Sequence, residues 1–362
     1  MAATTPRGTL GNVARIPAPN PIALDERHLR TGTPVILTGL FDGAPVHRLA
    51  DPRVARRELA DMPLRVSPNT WGDMLLGTER PARRHVPFGP FVDELAAGRA
   101  GTDYCIEYDT PEALTAYLPV PDYVRLGERD DSWESYLFLA GAGNTVHLHY
   151  DQDLRHVLMY QVFGRKRYVI IDPSESRKLG PGTRPQVRRT SALFLEHFSG
   201  PDLLAFLRYA NAWDCVLEPG EALLIPATCW HYVEYVTDAL SVNFCLPRNR
   251  HLRALAEIFP ESNVEMMALA SRFRDPSSLT RLEQAAFAAL LAADERDHPD
   301  TASRLAALDE LAVKLAARLD LPVAGRPYHL ADLTRRDRIT RSDRAGRPPA
   351  PAPAAGLLAT TG

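Results

Sequence analysis

A mainly β fold is what this sequence predicts: a double-stranded β-helix (jelly-roll) core with flanking helices and a helical C-terminal region. Three observations carry it. From Ser135 to Pro247, short apolar segments are split by Gly, Pro, Asp and Asn, the texture of a two-sheet sandwich. After Pro247 the period changes, and apolar residues recur at helical spacing. The chain has 362 residues and an apolar fraction of 45%, enough for one large β-rich domain and an appendage.

The elements follow in order. Residues 1–20 are rich in Pro, Gly and Thr and are expected to form a flexible N-terminus. Residues 21–134 are expected to flank the core. They hold a strand at Thr33–Leu40, a second at Leu64–Ser67 and a helix at Pro90–Ala97, with a turn at Pro119 and Pro121. The core spans 135–248, interrupted by a loop and helix over Arg188–Asn211. Residues 249–322 form the helical region, with helices at Leu252–Phe259, Asn263–Phe273, Leu279–Ala293 and Ala302–Leu319. Ser277-Ser278-Leu279 and Asp300-Thr301 supply N-caps. Residues 323–362 carry Arg335, Arg336, Arg338, Arg341 and Arg344 before PPAPAPAAGLLATTG, the composition of a flexible tail.

Composition narrows the function classes. A net charge of −3 is neutral on a polyanion partner, and Asp337 and Asp343 offset the Arg-rich segment, so a nucleic-acid arm is not expected. Cys105, Cys215, Cys229 and Cys245 show no CxxC spacing and read as reduced thiols of a cytoplasmic protein. The N-terminus has no apolar signal-like core and no run approaches 18 apolar residues, so neither secretion nor membrane spanning is expected. The sequence has no GxxxxGK[ST] and no strand–GxGxxG–helix, so nucleotide chemistry is unsupported.

The chemistry concentrates in GNTVHLHYDQD and LEPGEALLIPATCWHYVEYV. His149, Asp151 and His231 together supply two imidazoles and a carboxylate, the face that holds a non-haem Fe(II) with positions left open. Strand alternation places Thr145, His147, His149 and Asp151 on one side and turns Tyr150 away. Val233 and Tyr235 continue on the side of His231. Asp153 is the alternative carboxylate; only Asp151 stands two residues from an imidazole. In QVFGRKRYVIIDP, Lys166, Tyr168 and Ile170 share a side, whereas Arg165 and Arg167 face the other way. A buried lysine is costly without a partner, and an anionic ligand would explain it. Ser241 and Asn243 point together in LSVNF.

In this order and spacing, the HxD, the GRKR strand and the PxxxWH resemble the JmjC/cupin-8 branch of the 2-oxoglutarate-dependent oxygenases, which includes asparaginyl and lysyl hydroxylases and the JmjC demethylases. The resemblance covers roughly residues 16–247. It implies Fe(II) as cofactor, 2-oxoglutarate and O2 as co-substrates, and hydroxylation of an unactivated C–H bond with release of succinate and CO2. It assigns Lys166 to the far carboxylate of 2-oxoglutarate, Asn243 to the metal-side end, and Thr145 and Tyr104 more loosely to hydroxyl contacts. The family's usual Thr lies three residues before the metal His, where this chain has Val146. A peptide or protein side chain is the first substrate expected, with a free amino acid or other small molecule as the alternative. A metal-binding cupin without oxygen chemistry is the reading from a different class. The loop Ser176–Arg189 is either a solvated charged loop or a grip for an acidic peptide. Leu305, Leu308, Leu311, Ala312 and Leu315 form an apolar stripe, suited either to a homodimer or to packing on the chain's own barrel.

Overall fold

The computed structural model describes residues 10–69, 82–127, 131–182, 188–260, 263–296 and 298–322. Among the described residues, six strands precede the core: β1 (Gly11–Asn12), β2 (Ala14–Pro17), β3 (Val35–Thr38), β4 (Pro63–Pro68), β5 (Arg84–Pro87) and β6 (Asp103–Asp109). Eight strands then follow with short connections, save for one excursion. They are β7 (Glu134–Ala140), β8 (Thr145–His149), β9 (Val157–Phe163), β10 (Lys166–Ile171), β11 (Trp213–Leu217), β12 (Ala222–Ile225), β13 (Trp230–Tyr235) and β14 (Ala239–Cys245). The excursion between β10 and β11 carries the helix Gly200–Tyr209, inside the stretch expected as loop plus helix.

These strands form two sheets. The smaller has the order β1-β11-β10-β13-β8, and the larger β2-β3-β12-β9-β14-β7-β6-β4-β5. Successive core strands alternate between the sheets one by one, except that β10 and β11 are neighbours in the smaller sheet, which is the double-stranded β-helix. The β9–β10 turn depends on Gly164, whose φ of +68° suits glycine and whose missing Cβ leaves room for the Asp238 carbonyl.

Burial sorts the side chains into three clusters. Ile36, Met159, Tyr168, Ile170 and Leu223 fill the space between the sheets. Val35, Leu37, Leu158, Tyr160 and Val242 cover the outer face of the larger sheet, with Phe88, Phe91 and Leu95 of the helix Phe88–Ala96 packed on them. Leu148, Val169, Ile171, Trp230 and Tyr232 cover the outer face of the smaller sheet, against the C-terminal helices. Strands β9 and β14 are buried along their whole length, because both faces of the larger sheet are covered.

The C-terminal helices are Arg250–Ile258, Val264–Arg272, Arg281–Asp294 and Thr301–Arg318. Asp300 caps the last, accepting from Ser303 N–H at 2.8 Å. The cap of the third is Thr280 in a capping box with Glu283, not Ser277 or Ser278, which lie in a short 3-10 turn capped by Asp275. Three residues of the apolar stripe pack on the same chain: Leu308 and Ala312 are fully buried and Leu315 nearly so, beside the helix Val264–Arg272, whereas Leu305 and Leu311 are half-buried.

The expected flexible segment at 1–20 needs correction over its described part. Gly11–Asn12 pairs in parallel with Trp213–Asp214, and Ala14–Pro17 with Val35–Thr38. Arg15 fixes this edge through an ion pair to Glu221 at 2.7 Å. Nothing local in a Pro-rich stretch announces such long-range pairing. Residues 1–9 and the tail at 323–362 lie outside the described residues.

Candidate active site

A cavity of about 490 Å³ opens between the two sheets, and its lining brings together most of the residues singled out above. His149 and His231 are cross-strand partners in the β8–β13 ladder. Their rings lie 4.2 Å apart and both are nearly buried. His149 Nε2 is 3.6 Å from one Asp151 carboxylate oxygen, and His231 Nε2 is 3.9 Å from the other. Potential ligand atoms of these three residues all lie within 4.8 Å of one another, the only such cluster among the described residues.

Backbone carbonyls orient both rings. His149 Nδ1 is 2.6 Å from the His147 carbonyl, and His231 Nδ1 is 3.3 Å from that of Cys229. Each Nδ1–H therefore donates to a carbonyl two residues back, which leaves Nε2 with its lone pair directed at the gap. Burial, followed by the neighbouring His231, pushes His149 down to about 3, so the imidazole is neutral and able to ligate. Two imidazoles and a carboxylate around one gap match the donor set of a 2-His-1-carboxylate metal centre.

Asp153 also lines the cavity, but its carboxylate turns to the buried Arg155, with Nε at 3.6 Å. Burial pushes it up to about 6, with Asp151 contributing. Asp151 is thus the carboxylate that faces both imidazoles. Tyr150 points away, its ring set edge-on at 4.7 Å to Trp230 outside the barrel, and Trp230 Nε1 donates to Ser176.

The expected alternation on β8 fails at one point. His149 opposes His231 and Val146 opposes Val233, so β8 spends three residues where β13 spends two. This bulge puts Val146 and His149 on the cavity side together. Thr145 opposes Glu234 and does not line the cavity. His147 reaches outward, with Nε2 2.6 Å from the Ser191 carbonyl and its ring 4.7 Å from Phe194. The contact expected of Thr145 is therefore not one its position allows, and Val146 stands in that place without a hydroxyl. Tyr104 is buried in the inter-sheet cluster with Tyr235 but is not part of the cavity wall.

Alternation on β10 is regular. Arg167 faces outward to Asp214 at 2.8 Å, and Lys166 and Tyr168 face the cavity. Lys166 is 1% exposed and no carboxylate lies within ion-pair reach of it among the described residues. Its Nζ donates to Ser241 Oγ at 2.5 Å and sits 4.1 Å from the Tyr235 ring centroid. Burial pushes the ammonium well below its ordinary value. The Tyr235 hydroxyl is buried without a hydrogen-bond partner among the described residues, and the Tyr168 hydroxyl approaches Ser241 in a geometry short of a hydrogen bond. A buried lysine amine, which an anion would hold in its charged form, and two under-satisfied hydroxyls at one end of a cavity fit an anionic ligand group. Asn243 also lines the wall, its Oδ1 accepting from Tyr136 N–H at 2.8 Å.

Glu107, Glu134, Tyr136 and Gln152 line the cavity as well, and sequence reasoning did not find them; Arg189 lines it too, from the loop weighed above as a grip for an acidic peptide. Glu107 occupies a bulge in β6 at φ +47°, where strand periodicity gives no guide. Arg189 belongs to the charged loop Ser176–Arg189. Elsewhere in that loop Arg177 pairs with Glu265, Lys178 with Glu175 and Arg188 with Asp309, while residues 183–187 lie outside the described residues.

The fold and this site define a double-stranded β-helix protein with a two-histidine, one-carboxylate centre. The model of the cupin-like domain family matches residues 21–245, and the chain belongs to that family. It is similar to lysine-specific demethylase 8 of Danio rerio, 30% identical over 171 residues, which is 45% of this chain and 41% of the relative. The same-named protein of Xenopus tropicalis is 26% identical over 234 residues, 60% of this chain and 49% of the relative. Jumonji C domain-containing protein 5 of Drosophila melanogaster is 28% identical over 148 residues, 38% and 36% of the two chains. The matches thus span less than half the length of these curated relatives. Among the described residues, no helix is long and apolar enough to cross a membrane.

Proposed function

We propose that this protein is an Fe(II)- and 2-oxoglutarate-dependent dioxygenase that hydroxylates an unactivated C–H bond on a peptide or protein side chain. The observation that carries the reading is Lys166: a buried lysine amine with no acid partner among the described residues, in the same cavity as the His149–Asp151–His231 face. A metal-binding cupin without a keto-acid co-substrate has no use for it. The names of the relatives, a lysine-specific demethylase among them, support oxidative chemistry on protein residues.

His149, Asp151 and His231 would hold the iron through Nε2, a carboxylate oxygen and Nε2. Iron with 2-oxoglutarate supplies the activation of O2 that no side chain can perform. Lys166 binds the far carboxylate and gains the counter-ion that burial denies it, with the Tyr168 and Tyr235 hydroxyls as further donors. Val146, Met159 and Val233 line the cavity with apolar surface and limit water. Glu107, Gln152 and Arg189 offer polar groups to the prime substrate. The four buried free thiols support a reducing, cytoplasmic setting.

The test is anaerobic titration of the Fe(II)-loaded protein with 2-oxoglutarate, followed by the visible metal-to-ligand charge-transfer band. The band is expected in the wild type and absent in His149→Ala. Stoichiometric iron with no band in the wild type would replace this reading by a non-oxygenase cupin.

A further inference from the structure

Arg274 lies outside the cavity, just past the helix Val264–Arg272, yet it is only 6% exposed. Its guanidinium grips one short turn. Nε donates to the Ala227 carbonyl at 2.9 Å and Nη2 to Thr228 Oγ1 at 2.5 Å, while Nη1 stands 3.8 Å from Asp172. From the opposite side, His156 Nδ1 accepts from Ala227 N–H at 3.1 Å. Both backbone groups of Ala227 are therefore held. Gly32, at φ +70°, leaves the space that the guanidinium occupies; a Cβ there would overlap Nη1.

The clamped turn leads directly to the site. Thr228 sits at φ +73°, a left-handed conformation strongly disfavoured for a β-branched residue. The next residue, Cys229, provides the carbonyl that orients the His231 ring. On the other side, His156 ends the loop at 150–156, which carries Asp151. The two arms of the metal face thus meet at Ala227.

We propose that Arg274 is a positioning residue of the metal centre, which with His156 holds the Ala227–Cys229 turn in the strained conformation that aims His231 at Asp151 and His149. This rests on the metal-binding reading above. Conformational strain of this kind persists only where the surroundings over-determine it, and a forked donor bridging a carbonyl and a hydroxyl on consecutive residues does so. Lysine has the charge but not the fork.

The probe is Mn(II) alone, added to the full chain, with free metal read by electron paramagnetic resonance and the fold of each metal-free variant read by thermal melting. Arg274→Lys and Thr228→Val are each expected to weaken Mn(II) binding by about tenfold or more, the range for groups that orient metal ligands. Thr228→Gly is expected to stay within about threefold of wild type, since glycine adopts positive φ without help. Leu290→Ala, a buried change on the helix Arg281–Asp294 that alters no group holding the Ala227–Cys229 backbone, is expected to lower the melting temperature and leave Mn(II) affinity unchanged. The proposal is overturned if Arg274→Lys and Thr228→Val bind Mn(II) like wild type, or if Leu290→Ala loses as much affinity as they do. If Arg274→Lys does not fold, Thr228→Val, which keeps the guanidinium, decides alone. Wild-type protein that binds no Mn(II) overturns the metal reading itself, a failure visible before any variant is made.

Discussion

His149 and His231 face each other across the β8–β13 ladder, ring centroids 4.2 Å apart, each turned by its own Nδ1 contact to a backbone carbonyl two residues earlier. With the imidazoles fixed by secondary structure, the choice between the nearby carboxylates becomes geometric. Asp151 reaches both Nε2 atoms, whereas Asp153 turns to Arg155. Asp151→Ala is therefore expected to weaken Fe(II) or Mn(II) binding by at least about a hundredfold, beyond the loss typical of an outer-shell group. Asp153→Ala should stay within about tenfold. Equal losses by equilibrium metal titration would reopen the assignment.

Lys166 gives the ligand-free protein a distinctive pH response. Its folded value is lowered, so between that value and about 10.4 the unfolded chain binds a proton that the folded chain does not. Stability contributed by this group therefore rises with pH through that window, by about 1.4 kcal/mol per pH unit. Lys166→Met removes the group from both states. Urea unfolding of the two proteins from pH 8 to 10 should show the variant more stable at the lower pH and the gap closing as pH rises. Parallel curves would mean that Lys166 remains charged when buried. The same variant should lose 2-oxoglutarate binding while keeping metal.

Regularity decides how much of this site could be read from sequence. On β10 the pleat is undisturbed, so Lys166 inward and Arg167 outward follow from period two alone. On β8 one extra residue breaks the period, and alternation counted back from His149 misplaces Thr145 and His147. No residue between Thr145 and His149 marks the bulge, because it is imposed by pairing with β13. Glu107 is hidden for the same reason in β6, and Arg189 because only tertiary packing brings its loop to the cavity. The helices beyond residue 249 were legible because apolar periodicity is a local signal, although the cap of the third proved to be Thr280; the edge strands at 11–17 were not, because their partners are Trp213, Asp214 and Val35–Thr38.

The bulge can be tested directly. Thr145→Val leaves the cavity untouched and is expected to change the 2-oxoglutarate KM less than about twofold, as for a surface change away from special features. Val146→Thr instead adds a hydroxyl to the cavity wall and should shift that KM measurably. If Thr145→Val raises the KM severalfold and Val146→Thr does nothing, the register of β8 is wrong.

The helix Thr301–Arg318 separates two accounts of its apolar stripe. Leu308 has no exposed surface and packs in the cluster that also holds Met267, Leu269 and Leu290, whereas Val313 on the opposite side is 44% exposed. A helix that serves its own barrel should show its energetics in monomer stability. Leu308→Ala is expected to cost about 2–5 kcal/mol, the range for a buried leucine truncated in a packed core. Val313→Ala should stay within about 0.5 kcal/mol, as an exposed position. Denaturant melts at two protein concentrations tenfold apart provide the check. Midpoints independent of concentration, with a large loss for Leu308→Ala alone, match a stripe satisfied within one chain. A concentration-dependent midpoint, or a large loss for Val313→Ala, would instead place a second copy against this helix.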